Sequence, residues 1–279
     1  MTEESKEAVG IVGVGRMGLA IVGHLQRHGY SVVAYDVGQA QREAAQAKGA
    51  RVVDSPAAMG SLVQFVLIAV GYDDEVTEVM LGDNGLLTTL KRGSVVGISS
   101  TCTPEHVRSL AAKAEEKGVS IIDAPVARGA RAIDAGTMLG LVGCKPELFD
   151  KAKAIYSTFC ADVAHIGDIG AGQFAKAMNN FLLWVNGIAL IEAGRLTEAN
   201  GVDLVKLRDA LLMSSGASDA LKHWENVSFI WALKDMQIVS KIADASGLSM
   251  PIAGAVKELV KDGLRIKRSN PPDWTGVRR

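Results

Sequence analysis

The stretch VGIVGVGRMG at residues 9–18 decides the fold. The run Val9–Val12 is short, apolar and β-branched, which is typical of a buried strand, and a Gly-x-Gly-x-x-Gly turn follows it directly. In such a turn Gly13 permits a tight bend, Gly15 lets the backbone approach a pyrophosphate, and Gly18 lets the next helix pack close to the sheet. The free N–H groups at the start of that helix favour phosphate binding.

An acidic residue follows the next predicted strand. Asp36 lies 18 positions after Gly18 (36 − 18), and the spacing at which a carboxylate receives the ribose hydroxyls of a dinucleotide is about 20. A carboxylate there repels a 2′-phosphate, so the sequence favours NAD over NADP. Asp36 also has an alternative interpretation as a turn residue, and the glycine turn alone is shared with methyltransferases.

The first half alternates short Val/Ile-rich runs with longer amphipathic segments, which predicts a parallel sheet with helices on both faces. Pro104 at a helix start and Gly118 at its end frame one of these helices. The predicted strands are Val9–Val12, Ser31–Tyr35, Phe65–Val70, Ser94–Ile98 and Val119–Ile122. The fold class is therefore α/β, with an N-terminal Rossmann-type doubly wound sheet.

The second half has helical periodicity throughout. Predicted helices cover Gly172–Asn200, Leu204–Met213, Phe229–Ala243 and Ile252–Leu264. We place the boundary in the glycine-rich stretch near residues 167–170. The domains are then residues 1–167, which bind the dinucleotide, and residues 168–279, an all-helical domain for substrate and oligomerisation, with an irregular tail from Ser269.

Composition excludes several function classes. The 30 Lys and Arg residues nearly balance the 31 Asp and Glu residues, so no nucleic-acid partner is expected. Cys102, Cys144 and Cys160 are spaced too irregularly for a disulfide framework or a metal pair, and the five histidines have no metal-ligand spacing. The polar start of the chain and the interrupted apolar runs predict a soluble, cytoplasmic protein without a membrane segment or a metal.

Five motifs occur in order along the chain: GVGRMG at residues 13–18, SSTCTP at 99–104, DAPVARGARAIDAGTM at 123–138, GAGQFAKAMNN at 170–180 and Lys234-Asp235. Together they resemble the β-hydroxyacid dehydrogenases, typified by 3-hydroxyisobutyrate dehydrogenase and distantly related to 6-phosphogluconate dehydrogenase. The resemblance implies an enzyme that transfers a hydride between NAD(P) and a small β-hydroxy acid, and that forms a homodimer or homotetramer.

The resemblance also implies roles for single residues. Lys176 matches the catalytic acid–base, and Asn180, one helical turn later on the same face, matches the residue that holds the substrate. A solvated helix lysine and a structural asparagine are the alternatives. Thr101 matches a contact near the nicotinamide ribose and Lys234 a contact on the cofactor side. The implied cofactor set is Gly13, Gly15, Arg16, Met17, Gly18, Asp36, Thr101 and Lys234.

The substrate-binding motif departs from the family pattern DxPVSGG. Ala127 replaces the serine and Arg128 the first glycine, and Gly129 remains. A guanidinium binds carboxylate, sulfonate or phosphate through paired hydrogen bonds, so we predict an anionic substrate. The Ala127-Arg128 pair resembles the sulfolactaldehyde reductase branch. A structural salt bridge of Arg128 is the alternative, and Arg131 is a second candidate for the anion.

Two other functions remain open at this point. An imine reductase shares the two-domain plan but generally has another residue where this chain has Lys176. A catalytically silent dinucleotide-binding scaffold is the other alternative, which the loss of the serine at Ala127 favours.

Overall fold

A computed structural model describes residues 6–277 of the chain. The chain divides into two compact units, Met1–Lys176 and Ala177–Arg279. The predicted domain boundary after residue 167 stays a prediction.

The first unit is built on one sheet, which has nine strands within residues 6–277. Six of them run parallel in the order β3-β2-β1-β4-β5-β6, and β8 continues the sheet antiparallel to β6, with β7 and β9 paired to β8. The strands are β1 Lys6–Val12, β2 Tyr30–Tyr35, β3 Arg51–Val52, β4 Phe65–Ile68, β5 Val95–Ile98, β6 Ser120–Asp123, β7 Val126–Ala127, β8 Met138–Gly143 and β9 Cys160–Gly167.

Helices follow the strands and cover both faces of this sheet. In the first unit they are α1 Arg16–Arg27, α2 Gln39–Ala47, α3 Pro56–Gly60, α4 Asp73–Leu81, α5 Pro104–Glu116, α6 Gly129–Ala135 and α7 Pro146–Tyr156, with a 3₁₀ turn at Leu86–Thr88. Alternate residues of β4 show the two faces, because Phe65 and Leu67 belong to one buried cluster and Val66 and Ile68 to the other.

Beyond β9 the described residues form helices and turns. They are α8 Ala171–Ala199, which begins in the first unit, then α9 Leu204–Leu212, α10 Asp219–Lys222, α11 Ala232–Ser246 and α12 Pro251–Ser269, with a 3₁₀ turn at Trp224–Asn226. Buried indoles hold the second unit together. Trp274 donates to the carbonyl of Leu190 over 3.0 Å, and Trp224 donates to the carbonyl of Pro272 over 3.0 Å.

The predicted fold class is confirmed. All five predicted strands are present, and helices occupy the four predicted segments after residue 167. Strands β3, β7, β8 and β9 were not predicted, because β3 and β7 have two residues each, β8 is interrupted by Gly140, and β9 is mostly exposed or half-buried. The start predicted at Phe229 was wrong: this residue has a left-handed backbone with φ of +60°, so α11 begins at Ala232.

Helix α8 is long and apolar enough to cross a membrane by length and composition, with a mean hydropathy of 1.2 in its most apolar window. That finding is weak, because core helices of globular proteins pass the same test. Ala177, Trp184, Ile188, Leu190 and Ile191 on α8 are buried in the core of the second unit. The apolar character of these residues is therefore accounted for by packing.

Candidate active site

The glycine turn between β1 and α1 has the geometry that its sequence predicts. Gly13 has φ of +88°, and a Cβ there would lie 2.5 Å from the carbonyl oxygen of Ala69. A Cβ on Gly18 would lie 1.9 Å from the carbonyl oxygen of Gly13, whereas a Cβ on Gly15 would meet nothing within 4 Å. Gly13 and Gly18 are thus required by the fold itself, while Gly15 borders open space on which a ligand can lie.

The start of α1 is suited to an anion. Gly15 is its N-cap and supplies no side-chain hydrogen bond, and the first turn carries no acidic residue. The unsatisfied N–H groups and the positive end of the helix dipole therefore remain for a phosphate. Arg16 is exposed and forms an ion pair of 3.3 Å with Asp134 on α6, and Met17 is half-buried against the core.

Asp36 lies beside this turn at the end of β2. Its carboxylate accepts a hydrogen bond of 2.8 Å from the backbone N–H of Val14 and another of 2.8 Å from that of Gly38. Each carboxylate oxygen has a second lone pair, so the group can still accept from ribose hydroxyls. The turn-capping interpretation of Asp36 and the ribose-binding one are compatible.

The segment Ala127–Gly129 leaves β7 and enters α6. Arg128 has a left-handed backbone with φ of +83°, and Gly129 has φ of +75°. The backbone therefore keeps the conformation expected of the family's paired glycines, although the first of them is an arginine here. A non-glycine residue in this region costs about 1–2 kcal/mol, and such strain persists where the surroundings or the function maintain it.

The guanidinium of Arg128 is half exposed and contacts two residues, one on β9 and one just before β8. One of its nitrogens lies 2.7 Å from the carboxylate of Asp162 on β9, and another donates to the carbonyl of Thr137 over 3.2 Å. The predicted alternative, a salt bridge, is therefore present. Because both partners are exposed, the ion pair contributes at most about 1 kcal/mol to folding stability. A ligand anion can therefore replace Asp162 as the partner of the guanidinium. Arg131 is also exposed, on α6.

Helix α6 is tied to α1. The imidazole of His24 contacts the carbonyl of Ile133 over 2.6 Å and the guanidinium of Arg27 over 2.8 Å. Burial lowers the pKa of His24 below its ordinary value. Its neutral form, with Nε2 donating to the carbonyl, satisfies both contacts. The candidate substrate segment and the candidate phosphate turn therefore share a rigid connection.

The start of α8 carries Lys176 and, one turn later, Asn180. Lys176 is half-buried, and Asn180 is buried with its carbonyl oxygen accepting from the side chain of Asn179 over 3.0 Å. Residues i and i+4 share a helix face, and both residues lie on the continuous helix α8, but their pairing in a site stays a prediction.

Two buried residues that we had not predicted fix this helix start. The carboxylate of Asp123, at the end of β6, accepts from the backbone N–H of Gly170 and from that of Gln173, each over 2.7 Å. Gln173 in turn accepts from the N–H of Cys102 over 2.9 Å and donates to the carbonyl of Ser100 over 2.8 Å. Asp123 lies in the motif at residues 123–138 and Gln173 in the motif at residues 170–180. Nothing in the sequence shows that these two motifs are in contact.

Burial raises the pKa of Asp123 to about 6. The two backbone N–H donors and the nearby Arg108 oppose this shift, but they do not cancel it. Asp123 is thus ionised at neutral pH and takes the place of an N-cap side chain, which Gly170 lacks.

The remaining predicted cofactor residues lie apart in sequence. Thr101 is in the loop after β5, between the two residues that Gln173 holds. Lys234 is in the first turn of α11, half-buried, with its ammonium 5.9 Å from the ring centre of Trp231. Among the described residues 6–277, no group of three His, Cys, Asp or Glu side chains is arranged for a metal ion.

The residues of the first unit fit a dinucleotide. The space above Gly15, the uncapped start of α1 and the adjacent Asp36 carboxylate match a pyrophosphate followed by a ribose. The fold and this turn define a dinucleotide-binding protein with a helical second unit.

Comparison with known proteins identifies the family. Residues 8–167 match the NAD binding domain of 6-phosphogluconate dehydrogenase, and residues 170–270 match the NAD-binding domain of NADP-dependent 3-hydroxyisobutyrate dehydrogenase. The chain belongs to the β-hydroxyacid dehydrogenase family. The prediction of a nicotinamide-dependent dehydrogenase acting on CH–OH groups is confirmed at that level.

Individual relatives agree with this assignment. The chain is 31% identical to 2-(hydroxymethyl)glutarate dehydrogenase of Eubacterium barkeri, over 78% of this chain and 73% of that one. It is 30% identical to the NAD-dependent L-serine dehydrogenase of Pseudomonas aeruginosa, over 91% of each chain. The solved 3-hydroxyisobutyrate dehydrogenase of Mycobacterium tuberculosis has the same fold, with a TM-score of 0.86 over 95% of each chain at 22% identity. Imine reductases also share the fold.

Proposed function

We propose that this chain transfers a hydride between NAD and a small anionic β-hydroxy acid or its aldehyde, with Lys176 as the general acid–base. The observation that carries the anionic substrate is Arg128, which occupies a left-handed backbone position where the family pattern has glycine. Relatives whose names specify carboxylated substrates, 2-(hydroxymethyl)glutarate and L-serine, support the same substrate class.

The nicotinamide, when bound, supplies the hydride chemistry. The chain would hold the pyrophosphate at the turn Gly13–Gly18, with Arg16 and Met17 in its first helical turn, and the adenosine ribose at Asp36. Thr101 and Lys234 are proposed as further cofactor contacts. The carboxylate at Asp36 supports NAD as the preferred cofactor, because it opposes a 2′-phosphate.

Lys176 would handle the proton. In the oxidative direction its amine receives the proton of the substrate hydroxyl, and in the reductive direction its ammonium returns that proton to the same oxygen. Asn180 would orient the substrate through its amide, one helical turn away. Arg128 would bind the anionic end of the substrate, with the N–H of Gly129 beside it.

Two features argue against the alternatives. The chain has a lysine at position 176, where imine reductases generally have another residue. The fold that the chain shares with those enzymes does not by itself distinguish the two activities. The scaffold interpretation rests on Ala127 alone, and a strained arginine next to it is more readily explained by an anionic ligand than by a silent site.

We propose further that the chain is a cytoplasmic homodimer or homotetramer. Several large apolar side chains of the second unit are exposed, among them Leu182, Leu196, Leu248 and Ile252. Exposed apolar side chains indicate a subunit contact where they form one contiguous patch, and Leu182 and Leu196 lie on the same helix, α8. Light scattering coupled to size-exclusion chromatography measures the subunit number directly.

The function is tested by initial rates of NADH or NADPH formation and consumption. The panel contains L-serine, 3-hydroxyisobutyrate and 2-(hydroxymethyl)glutarate, with sulfonated and phosphorylated hydroxy compounds, the corresponding aldehydes and a cyclic imine. Wild type is compared with Lys176→Met, which keeps the stem and removes the amine, and we expect turnover to fall at least about 10²-fold. Lys151→Met, on the exposed face of α7, is the control. Undiminished turnover in Lys176→Met, or reduction of the imine alone, contradicts the proposal.

A further inference from the structure

Gln173 is buried at the junction of three elements of the first unit. Its backbone N–H is bonded to Asp123 at the end of β6, and its side chain bonds the loop after β5 at Ser100 and Cys102. It is inaccessible to solvent, and both ends of its amide are engaged. We refer to the two side-chain hydrogen bonds, to Ser100 and to Cys102, as the Gln173 bridge.

The Gln173 bridge connects two parts of the candidate active site. The first part is the loop after β5, where the bridge binds the backbone of Ser100 and Cys102 on either side of Thr101. The second part is the start of α8, where Gln173 is the third residue and Lys176 follows after one turn on the same helix face. A change in the length or polarity of this side chain therefore alters the separation between the Thr101 loop and the Lys176 turn.

Asp123 fixes the same turn through two further hydrogen bonds. It accepts from Gly170 and Gln173, the N–H groups at and near the helix start that otherwise lack a partner inside α8. A backbone segment bonded at both ends and through its side chain has little freedom to shift. Such rigidity is what a reacting group needs, because a displacement of about 1 Å costs on the order of 10²-fold in rate.

We propose that Gln173 is a positioning residue for the reaction, which sets the Lys176 turn of α8 against the Thr101 loop through the Gln173 bridge. It acts through Lys176 and does not contact the substrate in this role. The inference rests on the proposed function of Lys176 as the acid–base.

The first test compares Gln173→Met, which has nearly the same length and no hydrogen-bonding group, with wild type. The control is Thr158→Val, which removes a buried hydroxyl that donates to Ile155 in the same unit. With the fastest substrate of the panel above, we expect kcat per folded molecule to fall roughly 10- to 100-fold in Gln173→Met and less than about twofold in the control. The KM for NAD should change less than kcat does, since the phosphate turn is untouched and only the proposed Thr101 contact is displaced.

A second variant, Gln173→Glu, separates positioning from simple loss of folding. A protonated Glu side chain can donate to Ser100 and accept from Cys102 as the amide does, whereas the carboxylate can only accept. The kcat of this variant, relative to wild type at the same pH, should therefore recover as the pH falls. A kcat ratio that stays well below one at every pH, or a Gln173→Met enzyme with kcat within about twofold of wild type, overturns the proposal.

A third measurement does not depend on turnover. The rate at which acetic anhydride modifies the Lys176 amine, read at that residue by mass spectrometry across pH, reports the environment of the amine. We expect the Lys176 rate in Gln173→Met to differ at least about threefold from wild type, and Thr158→Val to match wild type. If Lys176→Met stays active but this shift occurs, the acid–base role is wrong and the positioning of Lys176 by Gln173 stands. If the Lys176 rate is unchanged in Gln173→Met, the positioning is wrong.

Discussion

The carboxylate of Asp36 accepts a hydrogen bond of 2.8 Å from the backbone N–H of Val14, and so fastens the end of β2 to the glycine turn that follows β1. This bond fixes where the carboxylate that we propose to bind the ribose lies relative to the glycine turn. The proposed cofactor preference and the stability of the turn should therefore both depend on the Asp36 side chain.

Asp36→Ala should change both properties. We expect the dissociation constant for NAD to rise about tenfold or more and the preference over NADP to shrink, because the repulsion of a 2′-phosphate is removed. Loss of the acceptor for Val14 and Gly38 should also lower the free energy of unfolding by about 1–3 kcal/mol. Asp54→Ala, at an exposed carboxylate after β3, is the control. Calorimetric titration with both cofactors measures the ratio of the dissociation constants for NADP and NAD. An unchanged ratio in Asp36→Ala would show that Asp36 does not determine the cofactor preference.

The two later glycines of the turn should respond differently to a single methyl group. Gly15→Ala adds a Cβ to open space, so we expect a normally stable protein whose affinity for NAD falls at least about tenfold. Gly18→Ala places a Cβ 1.9 Å from the carbonyl of Gly13, so we expect a loss of several kcal/mol, on the order of 3. Thermal unfolding and NAD titration of both variants make the comparison. A Gly15→Ala protein that binds NAD normally would mean that the phosphates lie elsewhere.

Arg128 allows backbone strain and side-chain function to be separated. Arg128→Ala and Arg128→Gly both remove the guanidinium, but only glycine relieves the left-handed backbone, so the glycine variant should be the more stable by about 1 kcal/mol. Both should raise the KM for the anionic substrate about 10- to 100-fold. Asp162→Asn, which removes the ion-pair partner and leaves Arg128 in place, should leave KM equal or lower. If Asp162→Asn raises KM as much as the Arg128 variants do, substrate binding depends on the ion pair and not on a direct contact with Arg128.

Asp123 should give stability an unusual dependence on pH. Its pKa is raised from 3.8 to about 6, so between these values the folded protein retains a proton that the unfolded chain releases. The free energy of unfolding should therefore fall as the pH rises through this window, by on the order of 3 kcal/mol, opposite to the effect of a salt-bridged carboxylate.

Urea denaturation of Asp123→Asn measures this contribution, because an amide does not titrate. In Asp123→Asn the contribution of this residue to the fall in the free energy of unfolding between about pH 4 and pH 7 should be absent. In Asp54→Asn the fall should remain as in wild type. Identical profiles for wild type and Asp123→Asn would show that the buried carboxylate does not titrate in this range.

Much of the fold followed from local patterns. The strands that the sequence predicted are those of the parallel core, where continuous Val and Ile runs such as Phe65–Ile68 are buried on both faces. The two-residue strands β3 and β7 are too short to show a pattern, β8 is an apolar run interrupted by Gly140, and β9 is mostly exposed or half-buried. Their existence depends on pairing with distant segments, which periodicity cannot show.

The candidate site divides in the same way. Local spacing indicated the glycine turn, the resemblance to the family pointed to Lys176 and Asn180, and the departure from the family pattern pointed to Arg128. The ion pair of Arg128 with Asp162 and the hydrogen bonds from Asp123 to α8 join residues far apart in the chain. Asp162 lies in none of the five motifs, and Gln173 lies in one of them without an assigned role, since the partners of both residues are brought to them by folding.

By itself the sequence determined the dinucleotide turn, the α/β plan followed by helices, and the residue types available for proton transfer and anion binding. These depend on interactions within a few residues, where glycine conformation, strand alternation and helix spacing act directly. Only the tertiary structure decided that Asp123 caps α8, that Gln173 joins the Lys176 turn to the Thr101 loop, and that Arg128 is held in a left-handed conformation. The physical reason is that buried polar groups must find partners, and in this fold those partners come from strands and loops that are remote in sequence.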